Sequence, residues 1–278
     1  RVQNYYGVRC DPSLPYDPTF QPPETPAKPP ISVSRPNFIE LCTTLTTEDE
    51  KVFEDLWRQL GLSVDWSMTY ATIGKPAQRV SQAAFLRLLS RGTAYQLEAP
   101  TLWDVDFRTA VAQAELEDRE TAGAYHRIAF ARADGHEPIY IETTRPELIP
   151  ACVALVAHPD DERYKPLFGT DVITPLFGVK VPVRAHTLAD PAKGSGIAMI
   201  CTFGDITDVT WWRELSLPVR AIIQYDGTLK PITFGAPGWE SVDAARAQGY
   251  YDQLVKMSAK EAKNKIVEQA KDRGELLG

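Results

Sequence analysis

The sequence predicts an α+β fold: a β-barrel with peripheral helices, preceded by a mainly helical region. Three observations predict it. From Ala124 onward, apolar residues alternate with period two in many short runs punctuated by Gly and Pro. Between Ile31 and about Glu120, apolar residues instead recur at helical spacing. The first thirty residues hold many prolines, including Pro22-Pro23 and Pro29-Pro30. Such a stretch is extended and semi-rigid, and lies over a neighbour rather than building a core. The regions expected are therefore 1–30, 31–121 and 122–278.

The opening Arg1 to Tyr6 reads as the end of an element, and a start at Arg1 rather than Met reads as a segment of something longer. In the helical region, Thr47-Glu48-Asp49-Glu50 reads as a capping box before Val52, Phe53, Leu56, Trp57 and Leu60, with Gly61 as the stop. A second helix is expected from about Ala77 to Ser90, with Phe85, Leu86 and Leu89 on its inner face. A third is expected from near Thr109 through Leu116. Between them, 94–97 and 102–105 read as short strands, their aromatics as core.

Strands are then expected at 125–131, 138–141, 153–156, 172–173, 179–183, 197–200 and 221–223. A helix interrupts them at about 206–215. After Gly249 the chain turns helical again, with Ser258 as N-cap for Ala259 to Arg273.

The composition is globular, with 44% hydrophobic and 24% charged residues, and no run is apolar enough to span a bilayer. No leader is recognisable, so a cytoplasmic protein is expected. Cys10, Cys42, Cys152 and Cys201 are scattered without a Cys-x-x-Cys, which predicts reduced thiols and neither zinc site nor disulfide framework. The net charge of −7 argues against a general polyanion binder, although a local basic strip can still dominate a contact.

Chemistry concentrates at two strand ends. Ile139-Tyr140-Ile141 delivers Glu142, Thr143, Thr144, Arg145 and Glu147 in a row, with Pro146 turning Arg145 away from helical geometry. The turn Lys193-Gly194-Ser195-Gly196 precedes the apolar run 197–200, which contains Met199, and then Cys201, Thr202, Phe203, Gly204 and Asp205. Taken singly, Thr143 and Thr144 are ordinary strand residues and Arg145 with Glu147 an ordinary ion pair. As a cluster they mark a site. Asp208 reads first as a helix-capping residue, since carboxylates favour a helix N-terminus. Asp205 is harder to dismiss, standing opposite the Thr-Thr-Arg cluster if the two strands pair. Lys256-Met257-Ser258-Ala259-Lys260 is not read as a Lys-Met-Ser-Lys-Ser nucleotide signature, because the fourth residue is Ala and Ser258 is explained by capping. The histidines are dispersed and imply no triad.

These residues resemble a known family. Thr143-Thr144-Arg145-Pro146-Glu147, His158-Pro159-Asp160-Asp161-Glu162-Arg163-Tyr164, Gly194-Ser195-Gly196 and Asp205 look like the editing insertion of valyl-tRNA synthetases. Cys201 to Asp205 followed by Trp211-Trp212-Arg213-Glu214-Leu215 resembles its archaeal-type branch. The resemblance covers nearly the whole chain. It implies an editing-domain barrel of the kind shared with the isoleucyl and leucyl enzymes over 122–278, and an extended segment (1–30) leaving the catalytic fold. The paired-histidine adenylate signature is absent, so ligase activity and its ATP belong to the full-length enzyme; no cofactor and no metal are expected here.

The implied activity is hydrolysis of the ester in threonyl-tRNA mischarged for valine. Val and Thr are nearly isosteric, so an apolar pocket rejects Thr only about a hundredfold (the pair is itself the standard illustration). The resemblance implies that Asp205 holds the substrate ammonium, with Thr143 and Arg145 beside it as catalytic residues. It implies that Thr144, Glu147, Asp208, Gly194, Ser195, Gly196, Met199, Cys201 and Thr202 bind substrate, Asp208 through the threonine hydroxyl. Met199 and Cys201 stand where many bacterial relatives have Lys and Thr; Thr202 is a possible replacement for the lost hydroxyl. The expected partners are the threonine-bearing acceptor end of tRNA and the rest of the synthetase in cis, in a monomer away from membranes. Two other readings stay open: a tRNA acceptor-end docking module without hydrolysis, and a free-standing hydrolase of small esters.

Overall fold

The structure, a computed structural model, describes residues 1–96, 100–117, 120 and 122–277. It divides into two units, Arg1–Ala110 and Val111–Gly278.

In the first unit, helix α1 (Val2–Tyr6) leads into strand β1 (Val8–Cys10), which pairs in parallel with β2 (Ile31–Val33). The proline-rich stretch between them is anchored by Asn37, whose side chain exchanges hydrogen bonds with the backbone of Asp17 at 2.6 and 3.0 Å. Val8 is fully buried and forms a small core with Val33 and Leu41.

Helix α2 runs from Arg35 to Gln59, twenty-five residues. Its cap is Ser34, whose Oγ accepts from the amide of Asn37, and Pro36 occupies the first turn, where its missing N–H costs nothing. The expected start at Thr47 is thus corrected. Thr43, Thr44, Thr46 and Thr47 lie inside the helix and donate their hydroxyls to the carbonyls four residues back, at 2.7–3.0 Å.

Helix α3 (Lys75–Ser90) begins at Gly74 with Pro76 in its first turn. The inner face expected for the second helix fails, and the apolar residues read at helical spacing in the first are no better covered. Val52, Phe53, Leu56, Trp57 and Leu60 are exposed, as are Phe85, Leu86 and Leu89. Strands β3 (Trp103–Asp104) and β4 (Thr109–Ala110) form a hairpin in place of the helix expected from Thr109. Asp104 fixes its turn by accepting from the amides of Asp106 and Phe107. Only a short 3-10 turn, Gln113–Glu115, follows. Of the strand expected at 94–97, Leu97 lies outside the described residues, and 94–96 form no strand.

The second unit contains β5 (His126–Arg132), β6 (Ile139–Thr143), β7 (Ala154–Ala157), β8 (Asp171–Ile173), β9 (Lys180–Ala185) and β10 (Ile197–Ile200). They form one six-stranded mixed sheet in the order β10-β7-β9-β8-β5-β6, with only β7 and β9 parallel. The outer strands β6 and β10 come side by side, so the sheet curls into a nearly closed barrel.

Period two explains the filling. Ile128 and Phe130 of β5, Ile139 and Ile141 of β6, and Val181 and Val183 of β9 point into one core. β7 is buried on both faces, because Leu155 and Ala157 face that core while Ala154 and Val156 meet a second cluster with Ile200 and Trp211. Trp211 comes from helix α4 (Ile206–Glu214), which covers that outer face.

The strand expected at 221–223 is reduced to one bridge, Ile223 with Leu229, across a turn at Asp226-Gly227. Helix α5 (Ala244–Tyr251) seats the fully buried Tyr251 among Phe177 and Phe234; its hydroxyl donates to the carbonyl of Lys230 at 2.9 Å. Helix α6 (Ala259–Asp272) starts at Ser258, as expected, in a reciprocal capping box with Glu261.

Candidate functional site

After β6 the chain meets Pro146, which cannot continue the ladder, and turns into a wholly buried 3-10 segment, Pro146–Ala151. That turn leaves Thr143, Thr144 and Arg145 at the strand end. Thr143 fixes it by accepting the amide of Arg145 on its Oγ1 at 3.0 Å. Across the barrel seam, β10 runs into Cys201 and a tight loop before α4. Asp205 caps α4, its Oδ1 accepting the amide of Asp208 at 2.8 Å. Asp208 turns back: its Oδ2 accepts the amides of Gly204 at 3.0 Å and Cys201 at 3.3 Å. A Cβ at Gly204 would fall 2.6 Å from Asp208 Oδ2, so a side chain there would push that carboxylate out of place.

Arg145 joins the halves, donating from Nη1 to the carbonyl of Gly204 at 2.7 Å and from Nε to Glu147 at 3.1 Å.

The cleft so formed measures about 420 Å³, within the range of small-ligand sites. Thr143, Thr144, Arg145, Gly194, Gly196, Met199, Cys201, Asp205 and Asp208 line it. Three of the expected residues do not. Glu147 is buried behind Arg145, with Oε2 lacking a hydrogen bond among the described residues. Thr202 is buried at a left-handed φ of 58°, its Oγ1 accepting the amide of Arg220, so it does not replace the hydroxyl lost at Cys201. Ser195 faces a neighbouring groove and donates to the carbonyl of Ile197.

Residues not singled out beforehand also line the cleft: Tyr125, Leu148, Leu188 and Thr207. Only Thr207 carried a signal, lying between the two aspartates on the first turn of α4. The seam explains one expectation further. β10 pairs with β7 rather than β6, so Asp205 faces the Thr-Thr-Arg cluster across a lateral approach, not along a ladder.

The electrostatics single out Asp208. Burial, and then the neighbouring Asp205 carboxylate, push its pKa up to about 6, against the pull of the two amides and Arg145. Burial also pushes the Cys201 thiol well above its ordinary range, reinforced by the adjacent Cys152 thiol. A protonated, buried thiol is no nucleophile. The cleft therefore offers hydroxyls, carboxylates and a guanidinium, a set suited to binding a polar ester and positioning water. Among the described residues no group of three or more His, Cys, Asp or Glu side chains could hold a metal.

The family model for tRNA synthetases class I (I, L, M and V) matches residues 24–270. A valine–tRNA ligase of Thermobifida fusca (strain YX) is 64% identical over 279 residues, covering 100% of this chain and 31% of the relative. Another, of Salinispora tropica, is 62% identical over 276 residues, covering 99% of this chain and 31% of the relative. The chain thus spans about a third of the length of the curated relatives it matches. These sources are bacterial, and they lend the archaeal-type branch no support. A ternary LeuRS-tRNA-LeuAMS complex of Agrobacterium radiobacter K84 is similar at TM-score 0.39 and 15% identity, over 84% of this chain and 36% of that one. The fold described above rests on the strand pairing, not on that distant likeness.

Proposed function

This chain belongs to the tRNA synthetases of class I (I, L, M and V), and on that premise we propose that its barrel hydrolyses threonyl-tRNA mischarged for valine. The observation that carries the reading is the convergence of Thr143, Thr144 and Arg145 with Asp205 and Asp208 in one cleft, held by the Arg145–Gly204 hydrogen bond. The relatives' name, valine–tRNA ligase, supports valine as the amino acid against which threonine is removed.

An aminoacyl ester is already activated, so a positioned water and stabilisation of the developing oxyanion are enough. Asp205 lines the cleft with Oδ2 unengaged among the described residues, and holds the substrate's α-ammonium. Arg145 and the threonine hydroxyls embrace the ester and the terminal adenosine. Asp208 accepts the threonine hydroxyl, which valine lacks. With a pKa of about 6 its carboxylate is mostly ionised at pH 7, and so acts as acceptor. Met199 and Cys201 bring no charge to that carboxylate, and the Arg145 guanidinium pulls its pKa back down. The partner is the acceptor end of tRNA, with the rest of the synthetase in cis. No cofactor is needed, and we place the protein in the cytoplasm as a monomer.

The test is deacylation of preformed threonyl-tRNA and valyl-tRNA, both for valine, by the parent chain and by Asp205→Ala. Rapid loss of the threonyl ester alone, falling about a hundredfold or more in the variant, is expected. Tight tRNA binding with neither ester cleaved would overturn hydrolysis in favour of docking. Equal cleavage of both esters would overturn the role of Asp208 as a hydroxyl filter.

A further inference from the structure

Helix α6 is divided by charge. At about 100° per residue, Lys260, Lys263 and Lys271 fall within one arc of about 80°. Ala262, Ile266 and Ala270 pack into the core on one side of that arc. Glu261, Glu268 and Asp272 fall on the far flank. On the acidic flank, Glu268 pairs with Lys265 at 3.0 Å and Glu261 accepts from the Ser258 cap. None of Lys260, Lys263 and Lys271 has an ion pair among the described residues, and Lys260 and Lys271 are exposed. In a chain of net charge −7, a single-signed stripe about 16 Å long stands out.

The stripe touches the rim of the cleft at Lys263. Lys263 Nζ donates to the carbonyl of Thr144 at 2.7 Å, at the strand end that lines the site. The opposite rim, a groove sharing Glu142 and Gly194 with the cleft, also carries arginines: Arg127 lies over the Tyr140 ring, and the other two are neutralised. Arg163 is clasped by Asp161 at 2.6 Å and Arg132 by Asp134. Arg127 and the cleft's own Lys193 stand singly, so the longer run of unpaired positive charge is the one on the α6 side.

We propose that Lys260, Lys263 and Lys271 hold the phosphates of the single-stranded 3′ end of tRNA as it leads into the cleft. The identity of the strand rests on the hydrolase reading above; the chemistry, one anion after another along one helix face, does not. It also gives Lys260, in the Lys256-Met257-Ser258-Ala259-Lys260 string, a task unrelated to nucleotide activation. Phosphate contacts of this kind position a strand and make its affinity salt-dependent, without reading bases.

The experiment compares the parent chain with the double variant Lys260→Gln/Lys271→Gln, which leaves Lys263 and the cleft intact. Substrates are threonyl-tRNA and the nucleoside ester 3′-O-threonyladenosine, which has no phosphate. For threonyl-tRNA, KM is expected to rise about tenfold near 0.1 M salt with kcat unchanged. The slope of log affinity against log salt is expected to fall by about 1.4, two single-strand phosphates at about 0.7 each. Hydrolysis of the nucleoside ester stays the same. An unchanged KM and slope would overturn the proposal, and so would an equal loss with the nucleoside ester. If the parent hydrolyses neither substrate, the hydrolase reading fails and the stripe is read by binding alone. The probe is then a fluorescent single-stranded RNA ending in adenosine. A shallower salt slope in the variant supports the stripe; an unchanged slope, no binding by the parent, or the same effect with a blunt RNA duplex overturns it.

Discussion

In Arg1–Ala110, the second half of α2 and most of α3 leave large apolar side chains exposed, among them Phe53, Leu56, Trp57, Phe85 and Leu86. In Val111–Gly278, residues of the same kind, Ile128, Phe130, Ile141 and Leu155, are wholly buried. Both sets are regularly spaced, one at helical period and one at period two. The difference lies in where the partner surface comes from. A strand of a closing sheet brings its own partners across the barrel, whereas a helix has to be met by another element. Within this chain α2 buries side chains only along its first half, at Asn37, Leu41 and Leu45.

The largest effect that sharpens this contrast is expected from Phe130→Ala. Emptying a fully buried site in the barrel should cost about 3–5 kcal/mol, read as a lowered denaturant midpoint of the second unit. A loss below about 1 kcal/mol would mean that the barrel is packed no better than the helices.

Next is Asp208→Asn. The folded carboxyl titrates near 6, above its ordinary 3.8, so its stabilising contribution is complete below about pH 4 and is lost as pH rises through 6. The parent-minus-variant stability should therefore drift downward over that window, by no more than about 3 kcal/mol. A flat difference would show that Asp208 is not the titrating group. On the proposed mechanism, discrimination for threonyl-tRNA weakens below pH 6 in the parent, as the acceptor gains a proton.

Ser258→Ala, at the barrel's periphery, removes half of the α6 capping box and should cost about 1 kcal/mol by thermal unfolding. The smallest effect is expected from Leu56→Lys, within about 0.5 kcal/mol, because Leu56 is 47% exposed and Lys is nearly as good a helix former. A barrel-sized loss there would erase the contrast.

The same physics decided what could be read beforehand. The strands of the barrel were legible because each buries one face, and β7 because its continuous apolar run is buried on both. The Ser258 cap was legible because its partner Glu261 lies three residues on. α2 was misread at its start because a threonine near acidic residues is a cap only if the chain before it is not helical. Here Ser34 had already begun the helix, and the threonine hydroxyls turn inward to carbonyls. β3 falls inside the strand expected at 102–105, whereas the turn at Asp104 hid β4 under an apparently helical spacing. At the site, the two polar strand ends were visible as clusters. That Glu147 backs Arg145, and that Thr202 turns its hydroxyl to Arg220, depends on a 3-10 turn and a left-handed residue that spacing does not encode.

The hydrogen bond from Arg145 to Gly204 spans fifty-nine residues, and four of the barrel's six strands, β7 to β10, lie between them. Drawing those ends together costs loop entropy that the intervening strands must first repay. A chain grown only as far as β9 has its threonines and arginine but no aspartates near them. Competence cannot accumulate piecemeal along the growing chain. On the proposed reading it arrives in one step, once β10 and the first turn of α4 are in place, and a half-made barrel would be silent toward any ester that reaches it.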